Sequence, residues 1–232
     1  MEESRNGVMI LENIPANLDA ARVLKQMHLH GDTKRYEQNI NELIELVTPI
    51  ARPKAVYKVS CIENKSQDSL EIDGVKFTGR LVRDTLDKAD TVFVCVATCG
   101  IEVEKIEIPP ASVMKRYCLD VIKMALVFSA ITYLNDYLKQ HFNLGEISSL
   151  NPGELKAFPS TQHKKVFSIL GDVEGMIGVR LTEYCALVPT KSHSGIYFST
   201  DTKFISCRMC TQKRCMGRRA PFDAELAKQY PA

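Results

Sequence analysis

Apolar residues recur at helical spacing through Tyr36, Ile40, Leu43, Ile44 and Val47, the stripe of an amphipathic helix. Asp32 and Thr33 stand before it as capping residues, and Pro49 and Pro53 bound its end. An earlier stripe through Leu24 and Met27 predicts a shorter helix capped by Asn17. Residues 55–62 form a strand-like run, and Asp73-Gly74 between Ile72 and Val75 predicts a tight hairpin turn. Residues 91–98 are apolar at both parities, which predicts a central strand buried on both faces and ending at Cys99-Gly100. Ser112 then opens a long helix reaching about Phe142, with Asp120 on it. Residues 148–159, holding Pro152-Gly153, read as irregular, and a short helix covers 162–170. Residues 179–205 read as two or three strands with a turn at 199–202, and a last helix lies around 224–228. Helices and strands follow one another without regular alternation, so the predicted class is α+β.

Composition narrows the reading only slightly. The chain has 232 residues, 45% apolar and 25% charged, enough for a proper core. A net charge of +2 is too small to argue for nucleic acid. The apolar stretch 124–134 is too short for a membrane span of about 20 residues, and Asp120, Lys123 and Asp136 flank it. The N-terminus lacks the basic-then-apolar layout of an export signal. With eight cysteines, this points to a reducing, cytoplasmic setting in which metal binding outranks disulfides.

The chemistry concentrates in Cys207, Cys210 and Cys215, spaced by two residues and then four. The first interval lets two sulfurs meet on one turn, and the second returns a third across a short loop. Thiolates so arranged suit zinc or a four-iron four-sulfur cluster. Arg208, Lys213, Arg214, Arg218 and Arg219 surround them, a basic setting that favours the ligating form of a thiol. A fourth ligand is needed. Cys99 ranks first because it ends a central strand beside a glycine, ahead of Cys185 and Cys118, while Cys61 and Cys95 read as core.

Four blocks of the second half carry a resemblance. They are Asn151-Pro152-Gly153, Pro159 leading into a helix, the run from Ile177 to Glu183, and the run from Ser194 to Ser199 before Lys203-Phe204. In order and spacing they resemble the activation domain of cobalamin-dependent methionine synthase. Ala21-Arg22-Val23-Leu24 and Val96-Ala97-Thr98-Cys99-Gly100 are compatible with the same family. The cysteine loop is foreign to that domain and is similar to the C-terminus of shorter, stand-alone relatives.

The resemblance implies one α+β domain over residues 1–232, with a curved mixed or antiparallel sheet and a metal loop at 207–219. It implies a site for S-adenosylmethionine at Asn151, Pro152, Gly153, Glu154, Phe204 and Ile205. It also implies a role in reductive reactivation of a corrinoid methyltransferase system. The sequence departs from the family where an arginine precedes Pro-Gly, since Ser148-Ser149-Leu150 stand here, and where Phe204 replaces a tyrosine. No Asp-x-His-x-x-Gly occurs, so cobalamin is expected to arrive on a partner corrinoid protein or methyltransferase, with neither nucleic acid nor membrane involved. The alternative is a non-catalytic docking module for such a partner, stabilised by zinc.

Overall fold

The computed structural model describes residues 2–27, 34–212, 215 and 217–231, without the side chains of residues 2–5 and 35. Its frame is an antiparallel sheet whose strands occur in the order β1-β2-β3-β6-β10-β7. These are β1 (Glu2–Arg5), β2 (Val8–Leu11), β3 (Lys54–Glu63), β6 (Thr91–Thr98), β10 (Ser192–Ser199) and β7 (Ile147–Leu150). A hairpin of β4 (Ser69–Ile72) and β5 (Val75–Thr78) attaches to the far end of β3. Its turn is Asp73-Gly74, both at positive φ (49° and 74°), as the two-residue signal requires.

β6 lies between β3 and β10, and its alternation divides the core. Val92, Val94 and Val96 face a layer built from α3 (Arg80–Thr85), α5 (His163–Leu170), α6 (Val173–Ile177) and the hairpin. Phe93, Cys95 and Ala97 face α4 (Val113–His141) through Ala130, Leu134 and Leu138. Burial on both faces explains why this strand shows no polar parity in the sequence.

α4 is apolar around most of its circumference because it packs against the sheet on one side and other helices on another. α1 (Ala20–Gln26) and α2 (Lys34–Val47) close over its first half, enclosing Val23, Ile40, Leu43, Val47, Cys118 and Ile122. By length and composition α4 is the one described helix that reaches membrane-span criteria, and half of its most apolar window is buried in the fold.

Most predicted elements are present, with corrections. Asp19, not Asn17, caps α1, its side chain accepting the Ala21 N–H at 2.9 Å. The expected caps Asp32 and Thr33 lie outside the described residues. Ser112 occupies the cap position of α4 without a side-chain hydrogen bond. Cys61 is exposed rather than core; it lies at the last pair of the β3–β6 ladder, opposite Thr91. Asp120 forms an ion pair with Lys191 at 2.9 Å on the helical side of the molecule. A two-residue hairpin, β8 (Arg180–Leu181) with β9 (Leu187–Val188), precedes β10, and α7 (Ala224–Lys228) ends the chain.

Candidate functional site

β7 is the edge strand of the sheet, and the segment that follows it folds back on itself. The Gly153 N–H donates to the Phe158 carbonyl at 2.8 Å, and the Phe158 N–H to that of Leu155 at 3.0 Å. Phe158 is fully buried, its ring centroid 6.4 Å from that of Phe77, and so pins the loop to the core. Gly153 has φ +84°, a conformation glycine reaches without strain. Between this loop, one side of α4 and the chain beyond β10 lies a cavity of about 940 Å³. Asn151, Gly153, Glu154 and Phe204 are on its wall; Pro152 and Ile205 adjoin it in sequence but are off the wall. The Phe204 N–H donates to Ser148 Oγ at 2.8 Å, which ties the end of the β10 segment to β7.

Two residues of β10 also line the cavity. His193 and Tyr197 line the wall, with rings 6.2 Å apart and edge-on, and Gly195 lies between them on the same strand face. β7 pairs only with Ile196 to Ser199, so the β10 edge before Ile196 is left to Asn151. The Asn151 side chain lies directly over Gly195, in the space a Cβ there would take. Its amide nitrogen donates to Ser149 Oγ at 3.2 Å, while its buried Oδ1 has no hydrogen-bond partner. The Tyr197 hydroxyl is equally buried and unpartnered. Burial lowers the His193 imidazole, Glu154 pulls the other way, and the charge of Arg219 adds to the lowering. Burial also holds Tyr197 well above the usual phenol range. Asn151 Oδ1 and the Tyr197 hydroxyl are thus two buried polar atoms without a described partner, on residues of one cavity wall.

Cys207, Cys210 and Cys215 line this same cavity. Their loop is organised by Arg218, whose guanidinium donates to the carbonyls of Cys207, Cys210, Gln212 and Ala220. Sulfurs and backbone are linked as well, since the Arg219 N–H approaches Cys207 Sγ at 3.4 Å. That contact suits a ligating thiolate, and the three-sulfur donor set suits zinc or an iron–sulfur cluster. Among the described residues, however, no three His, Cys, Asp or Glu side chains are drawn close enough to hold an ion. Lys213 and Arg214 lie outside the described residues.

The proposed fourth sulfur is not on this wall. Cys99 is fully buried among Val103, Cys118 and the residues of α1 and α2, on the helical side of the sheet. Burial, reinforced by Glu104, pushes its thiol up to about 12. Cys118 shares that core, and burial raises its thiol too. Cys185 is buried in the β8–β9 turn, where its carbonyl lies 2.9 Å from His163 Nδ1. The structure therefore brings three of the four expected ligands to one cavity and leaves Cys99 in a packed core.

His163 has a consequence for stability. Burial is the main cause of its lowered pKa, so the fold prefers the neutral ring. The unfolded chain takes up a proton first as pH falls through about 6.5, and the His163 contribution is lost from there down to its lower folded value. Urea midpoints should therefore drop between about pH 7.5 and 5.5, and His163→Gln should flatten that slope.

No protein-family model matches the sequence, and no curated protein matches it. The fold does have solved counterparts. One is a crystal structure of the MetH reactivation domain bound to AdoHcy, similar over 87% of this chain and 81% of that one, with a TM-score of 0.66 and 18% identity. The likeness is one of fold, an antiparallel sheet with helices. This chain therefore has the fold of the methionine synthase reactivation domain, the structural relation that its four sequence blocks anticipated.

Proposed function

We propose that this chain is an accessory protein that binds S-adenosylmethionine or its demethylated product in the cavity beside Asn151, Gly153, Glu154 and Phe204. In this reading it serves the reductive reactivation of a corrinoid carried on a partner protein. The observation that carries the ligand assignment is the pair of buried, unpartnered atoms, Asn151 Oδ1 and the Tyr197 hydroxyl, on the wall of a cavity of about 940 Å³. That volume falls within the range of small-molecule sites. The solved counterpart, crystallised with AdoHcy, supports the same class of ligand.

The division of labour follows from the side chains. Asn151 Oδ1 accepts a hydrogen bond from the occupant, and the Tyr197 hydroxyl donates or accepts one. Phe204 offers a partly buried aromatic surface but no hydroxyl. Glu154, fixed by a 2.7 Å hydrogen bond from Ser206 Oγ, attracts positive charge. Bound S-adenosylmethionine would supply an electrophilic methyl group on sulfur, and the chain's part is to hold it in one orientation. Cys207, Cys210 and Cys215 would hold the metal centre, and an iron–sulfur cluster there would supply one-electron chemistry. These thiols line the ligand cavity, so both groups would face the same opening.

The test is isothermal titration of anaerobically purified protein with S-adenosylmethionine, combined with iron and zinc analysis and absorbance near about 400 nm. Saturable heat with iron present is the expected result. Stoichiometric zinc without heat would replace this reading with the docking module.

A further inference from the structure

The cationic groups around the cavity are not equivalent. Lys139 and Lys203 share one carboxylate, Glu146, at 3.3 and 3.5 Å. Lys156, on the loop after β7, is exposed, as Arg219 is, and likewise has no ion pair among the described residues. The guanidinium of Arg219 has neither an ion pair nor a hydrogen bond among the described residues, although it lines the cavity. Its backbone is held by its neighbours, while the side chain itself is exposed. Its own N–H is directed at Cys207 Sγ, and the adjacent Arg218 is bound to four carbonyls. The charge of Arg219 is felt at both His193 and Tyr197, whereas that of Lys156 registers at neither.

Glu154 presents the opposite charge on the same wall, bound by Ser206 Oγ at 2.7 Å and paired with no described cation. The cavity thus holds a guanidinium and a carboxylate that are both open to an occupant. Beside them are two buried polar atoms without partners, on Asn151 (4% exposed) and Tyr197 (1% exposed). A dianion such as a phosphate would gain from Arg219 and be repelled by Glu154. A cation would meet the reverse. A group carrying one negative and one positive charge satisfies both.

We propose that Arg219 binds the ligand's carboxylate while Glu154 takes its positive charge, so that the cavity recognises an α-amino-acid zwitterion. The inference rests on the ligand reading above and adds its recognition chemistry. Arg219 comes from the cysteine loop, so the wall that carries the thiols also carries the anion-binding group. Disorder of that loop removes the zwitterion contact together with the sulfur site.

The experiment compares S-adenosylhomocysteine with 5′-methylthioadenosine, which keeps the nucleoside and thioether and lacks the amino acid. Both are titrated calorimetrically into the full chain, purified without oxygen. Wild type is expected to favour S-adenosylhomocysteine by roughly 10- to 100-fold, the value of a charge-assisted hydrogen-bonded pair. Arg219→Ala should abolish most of that preference while leaving methylthioadenosine affinity, metal content and melting temperature at wild-type values. Arg219→Lys should restore part of it. Glu154→Gln, which keeps shape and can still accept from Ser206, should weaken only the amino-acid ligand. If both nucleosides bind and Arg219→Ala keeps the full preference, the zwitterion assignment fails and the ligand site stands. Equal loss of both nucleosides in Arg219→Ala, with loss of metal, also overturns it, because Arg219 then acts as loop structure. If wild type binds neither nucleoside, the ligand reading falls and takes this proposal with it.

Discussion

Replacing Arg218 with alanine is expected to lower unfolding stability by about 2–3 kcal/mol and to release the cysteine loop. The half-buried guanidinium closes four carbonyls, from Cys207, Cys210, Gln212 and Ala220, around one planar donor set. Their positions along the chain span the loop; the Arg219 N–H to Cys207 Sγ contact and the Arg208–Asp223 pair also join its ends, but only Arg218 reaches its interior at Cys210 and Gln212 as well. Hydrogen bonds from a charged donor are worth about 1.5–3 kcal/mol each, but four on one side chain do not add, and partial exposure discounts them. Lysine is a poor substitute, since its ammonium is a point donor without the planar fork. Arg218→Lys should therefore recover less than half of the loss. Urea unfolding reads the stability. Metal content of anaerobically purified protein reads the second effect, because Cys207 and Cys210 lose their common donor. Wild-type stability and metal content in Arg218→Ala would show that the loop is fixed by something other than these bonds.

Much of the fold was legible because its signals are local. The positive-φ pair Asp73-Gly74 dictates its turn, and the uninterrupted apolar run of β6 dictates a strand buried on both faces. Edge elements were harder. Ile147 to Leu150 became a strand only because β10 offers it a partner, and four residues with two serines carry no signal of their own. The β1–β2 hairpin, α3 and α6 are similarly short and were not anticipated. At the site, Asn151, Gly153, Glu154 and Phe204 emerged through resemblance, and the cysteines through spacing. Period-two reading of β10 would have put His193, Gly195 and Tyr197 on one face, but their meeting with Asn151 depends on where β7 stops. Cys99 shows the converse failure. A thiol at a strand end beside glycine looks presentable in sequence, yet α1, α2 and α4 cover that end of the sheet. Arg218 and Arg219 read equally as basic neighbours of cysteine; only the folded loop turns one toward carbonyls and leaves the other open to the cavity.

Gly195→Ala should be the sharpest test of how the cavity is built. The new methyl would collide with Asn151 Oδ1 and approach Tyr197 Cε2 at 3.2 Å. The backbone cannot retreat, because Gly195 is registered against Cys95 in the central strand pair. Asn151 must therefore give way. Its amide is already bonded to Ser149 Oγ, and the space left to it is the cavity itself. Overpacking of this kind costs about 1–3 kcal/mol, and ligand affinity should fall by at least on the order of tenfold. Gly145→Ala is the matched control, since nothing lies within 4 Å of the added methyl there. The double variant Gly195→Ala with Asn151→Ala removes the collision, so it should be more stable than the sum of the single changes predicts. It should nevertheless remain defective in binding, because the acceptor on Asn151 is gone. Recovery of stability without recovery of affinity would separate the two roles of Asn151, as the cover over β10 and as a polar contact for the occupant. Strict additivity in stability would place Asn151 away from Gly195 and overturn this geometry.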